Sequence, residues 1–213
     1  MFDHYILCRY NVALYSSNPY KVKNPNEWMD GRVEYFNRLI SSLEYQTNDN
    51  FTFVVALDEN TPLCYKSHIQ DVLNHSKLNT ITIYKAAFQS QSEWFDDIEV
   101  NTPWLITSRV DNDDEYFSEF VETIQNNFNQ QSEILDVQGL QCLNGVHYTS
   151  GRDMPNSPFI SLVEQTKELK TVFYKPHSTL RMYYPPRFVG TTPLYIQHIH
   201  DNNQMNKIIG AKL

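Results

Sequence analysis

Apolar and polar positions along this chain follow two alternating periods. Residues 4–9, 51–57, 81–84 and 104–109 are short apolar runs bounded by polar or proline positions, and they predict four strands. Between them the spacing changes to three and four. Asn24-Pro25-Asn26-Glu27 is a helix start: Asn24 caps, Pro25 suits the first turn and Glu27 reaches back. Trp28, Val33, Phe36, Leu39, Ile40 and Leu43 then share one face of a single helix ending near Gln46. Second and third helices are predicted over residues 62–73 and 91–98. Strands alternating with helices predict a parallel sheet with crossover helices.

The second half has a different pattern. Residues 115–128 are apolar at helical spacing through Phe117, Phe120, Val121 and Ile124. Residues 133–143 predict one strand, followed by a hairpin turn at Asn144-Gly145 and a strand through Tyr148. Ser157-Pro158 opens a predicted helix containing Phe159, Leu162, Val163 and Leu169. Residues 171–174 predict a strand leading into Lys175-Pro176-His177. Beyond Tyr183 the prolines 185, 186 and 193 predict an irregular tail with a short helix near Met205.

Composition narrows the class. With 213 residues and 41% hydrophobic content, the chain supports one core. A net charge of −8 argues against a nucleic-acid groove but leaves room for a nucleotide whose charge is met by a bound cation. Cys8, Cys64 and Cys142 are widely separated, so no zinc or disulfide framework is expected. No basic-then-apolar leader and no apolar run long enough to cross a bilayer is visible, so a cytoplasmic protein is expected.

The chemistry concentrates where the fourth strand ends. Asp111, Asp113 and Asp114 follow Trp104-Leu105-Ile106-Thr107-Ser108-Arg109-Val110 directly. Open α/β sheets bind ligands at this carboxyl edge. Crowded carboxylates repel unless a positive group sits among them. Residues two apart on extended backbone point the same way, so Asp111 and Asp113 are expected to hold one Mn²⁺ or Mg²⁺, with phosphate oxygens completing its shell. A calcium loop is excluded, because its sixth position, Tyr116, requires glycine. Arg9 closes the first strand and offers a fork for phosphate or a plane for a base. Arg109, two residues before Asp111, faces the same side and either neutralises the acids or contacts phosphate. Asp58 closes the second strand on that edge, as a ligand contact or as a helix cap before Pro62.

The segment Arg109-x-Asp-Asn-Asp-Asp after Trp-Leu-x-Thr resembles nucleotide-sugar glycosyltransferases of the GT-A fold, and among them a rhamnosyltransferase family. The similarity runs from about Tyr5 to about Leu180. It takes in Arg9, Trp28, Arg32, Asp58, the acidic motif, Pro158-Phe159-Ile160-Ser161-Leu162-Val163-Glu164 and His177. The resemblance implies a Rossmann-like, mostly parallel sheet flanked by helices, in one domain over residues 1–213. Residues 1–132 would form the nucleotide half and 133–213 the acceptor half and tail. It implies transfer of a sugar from a UDP-sugar, or second a dTDP-rhamnose donor, to a glycan or other hydroxyl acceptor. Asp113 would ligate the metal, Asp111 the metal or the ribose, and His177 would supply a third ligand. Asp58 would contact the base, commonly uracil, and Arg9, Arg109 and Asn112 would join the nucleotide contacts. A catalytic base, if the reaction inverts, would be Glu164 or, failing that, Asp153 in the loop after Gly151-Arg152.

Two other classes compete. A sugar-nucleotide nucleotidyltransferase would want a glycine-rich phosphate loop after strand 1, and Cys8-Arg9-Tyr10-Asn11-Val12 has no glycine. A non-catalytic carbohydrate- or metal-binding module would bind glycan without nucleotide. His198-x-His200 could ligate a metal, but its polar surroundings predict a solvated pair, and His147 has less support still.

Overall fold

The computed structural model describes residues 1–18, 21–85, 98–150, 157–200 and 207–213. The predicted helix over 91–98 and the one near Met205 lie outside the described residues, apart from Ile98.

Four predicted strands form, three slightly longer than their apolar runs and β2 shifted by one residue: β1 (Phe2–Arg9), β2 (Thr52–Asp58), β3 (Thr80–Lys85) and β4 (Trp104–Val110). They pair in parallel in the order β4-β1-β2-β3. Ile6, Leu7 and Cys8 are each buried although they point alternately to opposite faces, because both faces of the sheet are covered. Ile6, Cys8, Phe53 and Val55 meet Phe36, Leu39 and Phe120 on one side. Leu7, Val54 and Ala56 meet Val172, Phe173 and Leu180 on the other.

The predicted first helix is two. Asn24 caps α1 (Pro25–Asp30), its Oδ1 accepting from the amides of Asn26 and Glu27. Gly31, a poor helix former, then ends α1, and α2 (Val33–Glu44) starts afresh. The break places Arg32 at the junction, 5% exposed, rather than on a helix face. The second predicted helix forms as α3 (Leu63–His75). After the acids come β5 (Glu115–Tyr116) and α4 (Phe120–Asn126).

The second half departs most from expectation. Residues 133–143 are two strands in different sheets, β6 (Glu133–Asp136) and β7 (Gly139–Leu143). Gly139 packs so closely under the Tyr195 ring that any Cβ would overlap it, so the chain bends there. The Asn144-Gly145 hairpin forms as expected, with φ of 51° and 77°, and joins β7 to β8 (Val146–Ser150).

Residues 157–169 are not a helix. They contain β9 (Ile160–Gln165), which runs antiparallel between β4 and β6 with Ser161, Leu162 and Val163 fully buried. Burial on both faces produces the apolar density that also fits a helix. Residues 171–174 are a turn, not a strand, with Thr171 at φ 62°. The short α5 (His177–Leu180) follows. The tail is more regular than expected: β10 (Pro186–Phe188) adds to the edge of the large sheet, where a proline is tolerated, and β11 (Tyr195–Ile199) pairs with β5 and β7. The result is a seven-stranded sheet, β10-β6-β9-β4-β1-β2-β3, beside a four-stranded one, β5-β11-β7-β8. Among the described residues no helix is long and apolar enough to cross a membrane.

Candidate functional site

Parallel register brings the ends of β1, β2 and β4 to one edge, with Cys8 opposite Val110 and Arg9 opposite Ala56. The backbone then turns at once: the Asp114 amide donates to the Asp111 carbonyl at 3.3 Å. Within a turn the two-residue rule for extended chain no longer holds, so Asp111 and Asp113 take different partners.

Asp113, 6% exposed, pairs with the Arg32 guanidinium and lies 2.9 Å from His200 Nε2. Arg32 Nη1 is itself 3.0 Å from that nitrogen, so guanidinium, carboxylate and imidazole meet in one three-way contact. The Trp28 ring lies 4.7 Å below the guanidinium, and Tyr35 stacks on His200 at 4.7 Å. Asp111 instead faces Arg109 at 3.4 Å and Arg9 at 3.9 Å. Burial raises its pKa, but the two guanidinium charges outweigh that and hold it below the usual carboxylate value. Asp114, almost fully buried, is pushed well up by burial and by the Asp113 and Asp111 charges. It accepts the His198 amide at 2.9 Å, which ties β11 to the acidic turn.

The expected metal set of Asp111, Asp113 and His177 is therefore not brought together. His177 Nδ1 sits 3.1 Å from Arg109 Nη1, on the Asp111 side. Burial and then the Arg109 charge lower its pKa to about 4, which keeps the imidazole neutral. The histidine that reaches Asp113 is His200, from the end of β11. Sequence reading discounted it because the proline-rich tail hid that strand; the apolar alternation of Tyr-Ile-Gln-His-Ile was the available signal. Among the described residues no three His, Cys, Asp or Glu side chains converge as a ready cage for a metal ion. Arg32, quoted only as part of the resemblance, was missed as a site residue because it lay inside the predicted helix.

Asp58 and Asn112 turn out to shape the site's loops. Asp58 is fully buried, and its two oxygens accept from the amides of Tyr15, Ser16 and Asn60 and the Ser16 hydroxyl, at 2.6–2.8 Å. A carboxylate has about four lone-pair positions. Three of the donors belong to the loop after β1 and the fourth to the turn after β2, so the expected base contact does not fit this arrangement. Asn112 donates from Nδ2 to the Tyr10 carbonyl at 2.8 Å, pinning the acidic turn to the same loop. Arg9 and Arg109 do lie together, their guanidiniums 5.0 and 5.2 Å from the Phe173 ring centroid.

Glu164 lies elsewhere. It pairs with Leu105 on β4, six residues before Asp111, which on extended strand is roughly 20 Å away. Its oxygens accept the Lys170 and Thr171 amides at 2.8 and 2.7 Å. Burial raises its pKa to about 7. These bonds fold the turn that carries Phe173. Asp153 lies outside the described residues.

Sheet order, the antiparallel β9 and acids at the carboxyl edge of β4 define the GT-A glycosyltransferase fold. The solved structures agree. S. aureus TarS 1–349 in complex with UDP-GlcNAc superposes with a TM-score of 0.59 at 15% identity, over 95% of this chain and 60% of that one. The same TarS fragment in complex with UDP gives 0.58 at 16% identity, over 93% and 61%. The chain thus spans about three fifths of TarS 1–349. Residues 19–212 match the family described as "Putative rhamnosyl transferase", and the chain belongs to that family. No curated protein sequence matches it.

Proposed function

We propose that this protein transfers a sugar from a nucleoside-diphosphate donor to a hydroxyl acceptor, with a divalent cation at Asp113. UDP is the favoured nucleotide of the donor, and dTDP-rhamnose the second. The reading is supported by family membership and by a fold shared with TarS, which has been solved with UDP and UDP-GlcNAc.

The observation that carries it is the meeting of Asp113, His200 and Arg32. The 2.9 Å between Asp113 Oδ2 and His200 Nε2 suits neighbouring ligands of one cation, which at metal–ligand distances near 2.1 Å lie about 3 Å apart. Arg32 Nη1 contacts both atoms, so this pair already faces a positive charge, which supports the reading. Two protein ligands suffice, because Mg²⁺ and Mn²⁺ at phosphate sites take their remaining oxygens from substrate and water. When bound, the metal would supply Lewis acidity to the leaving diphosphate.

The chain's own groups do the rest. Asp58 and Asn112 hold the loop after β1 against the acidic turn, which fixes the wall of the nucleotide site. Asp111 keeps Arg9 and Arg109 oriented over Phe173. If the reaction inverts, Asp153 is retained for the acceptor proton, because both Glu164 oxygens are committed to backbone amides far from the acids.

Thermal melting with UDP or dTDP, with and without Mn²⁺, tests this reading. A metal-dependent rise in Tm supports it, since a ligand bound to the native state stabilises that state. No rise with either nucleotide would count against it. A donor-hydrolysis screen over several nucleotide sugars would then name the sugar.

A further inference from the structure

We infer that the sheet edge formed by the ends of β4 and β6 carries an oxyanion subsite, built from Arg109, His177 and Arg181, that takes a phosphate group of the acceptor. The inference rests on the donor occupying the Asp113 side.

Arg109 is 7% exposed, yet its hydrogen bonds are incomplete. Nη1 reaches His177 Nδ1, Nη2 reaches both Asp111 oxygens only at 3.4 Å, and Nε is buried with no partner. Arg181 repeats the pattern: Nη2 donates to Asp136 Oδ2 at 2.6 Å, and Nε is buried without a partner. A buried guanidinium N–H left unsatisfied is costly, and an oxyanion is the acceptor whose geometry fits that fork.

Topology sets these two arginines around one place. Ser108, Ser161 and Leu135 lie in one row across β4, β9 and β6. Arg109 and Asp136 are the next residues along, two strand spacings apart, which is roughly 10 Å. His177 and Arg181 are four residues apart across α5, so they share a face that bridges this interval. Phe173 backs it, with Arg9 and Arg109 over its ring.

The charges agree. Among the described residues Arg109 pairs with Asp111 and Arg181 with Asp136, Arg9 also faces Asp111, and Lys175 lies two residues before His177. The sheet edge thus gathers three guanidiniums in a chain of net charge −8. The Arg109, Arg9 and Arg181 charges also help to depress the His177 pKa, so all three act on the same ring. A neutral sugar hydroxyl would not call for such a cluster, whereas a phosphate takes charge-assisted hydrogen bonds from each member. The row lies over β9 and β6, on the far side of β4 from β1 and β2. An anion there is the acceptor's rather than the donor's.

The test is calorimetric titration of the full chain with inorganic phosphate, alone and with saturating UDP or dTDP and Mn²⁺. Phosphate binding that persists beside the nucleotide is expected. Arg181→Gln should weaken it at least tenfold and leave nucleotide affinity unchanged. Arg181→Lys keeps the charge beside Asp136 and should weaken phosphate binding less, which covers the case that the glutamine variant fails to fold. Phosphate that is displaced by the nucleotide would assign the cluster to the donor and overturn the inference. So would the absence of phosphate binding, or an equal loss of nucleotide affinity in Arg181→Gln. Failure of the transferase reading shows separately, as no nucleotide binding in the unaltered protein.

Discussion

The carboxylate of Asp113 and the imidazole of His200 meet at 2.9 Å although 87 residues separate them in the chain. The contact exists because β11 pairs with β5, and because the His198 amide is fastened to Asp114 two residues before His200. Under the proposed function it makes His200, rather than His177, the histidine beside the Asp113 cation. Accordingly, His200→Gln should reduce Mn²⁺-dependent nucleotide affinity about tenfold or more, on the order of the effects seen for lost metal contacts. His177→Gln should leave the metal dependence intact. Titration of Mn²⁺ at fixed nucleotide separates the two variants.

Glu164→Gln distinguishes a catalytic from a structural carboxylate. A glutamine cannot accept from both the Lys170 and Thr171 amides, so one buried donor loses its partner, at a cost of roughly 1–3 kcal/mol. For a chain of this size that lowers Tm by about 2–4 °C per kcal/mol. The turn also holds Thr171 at φ 62° and delivers Phe173 beneath Arg9 and Arg109, so loosened substrate binding should accompany the loss of stability. A fall in kcat at unchanged Tm and KM would instead mark Glu164 as the base.

Asp58→Asn should destabilise for a related reason. Its four donors surround one fully buried side chain, and an amide nitrogen facing two of them costs about 3 kcal/mol. The loop after β1 should open first, seen as faster proteolysis within residues 10–18 before any global unfolding.

The buried His4 predicts an acid limb in the stability profile. It sits 2.8 Å from the Ser108 hydroxyl, and burial lowers its pKa from 6.5 to about 3. Above pH 6.5 it is neutral in both states and has no effect. As pH falls from 6.5 toward 3 the unfolded chain gains the proton first, so stability is lost across that window, by on the order of 4 kcal/mol in full. His4→Gln should flatten the profile between pH 5 and 6.5, measured as the difference from the unaltered protein in denaturant midpoints.

The legibility of the sequence follows how each element is buried. β1, β2 and β4 could be read because a strand buried on both faces is a short unbroken apolar run with sharp ends. The same property hid β9: Phe159, Leu162 and Val163 fall at helical spacing, and nothing local separates a six-residue buried strand from a helical turn. β6 and β7 divide beside Gly139, where a Cβ would strike the Tyr195 ring, a contact 56 residues away in the chain. Within the site, the acids at the end of β4 could be read from order alone. Their partners could not, because Arg32 is set by a helix break at Gly31 and His200 by pairing between sheets.

The most direct test is isothermal titration of UDP, or of dTDP, into the unaltered protein and Asp113→Asn, each with and without Mn²⁺. The account predicts nucleotide affinity that Mn²⁺ raises at least tenfold in the unaltered protein, with that gain lost in the variant and the metal-free affinities equal. Affinity indifferent to Mn²⁺, or a gain undiminished in Asp113→Asn, would contradict it.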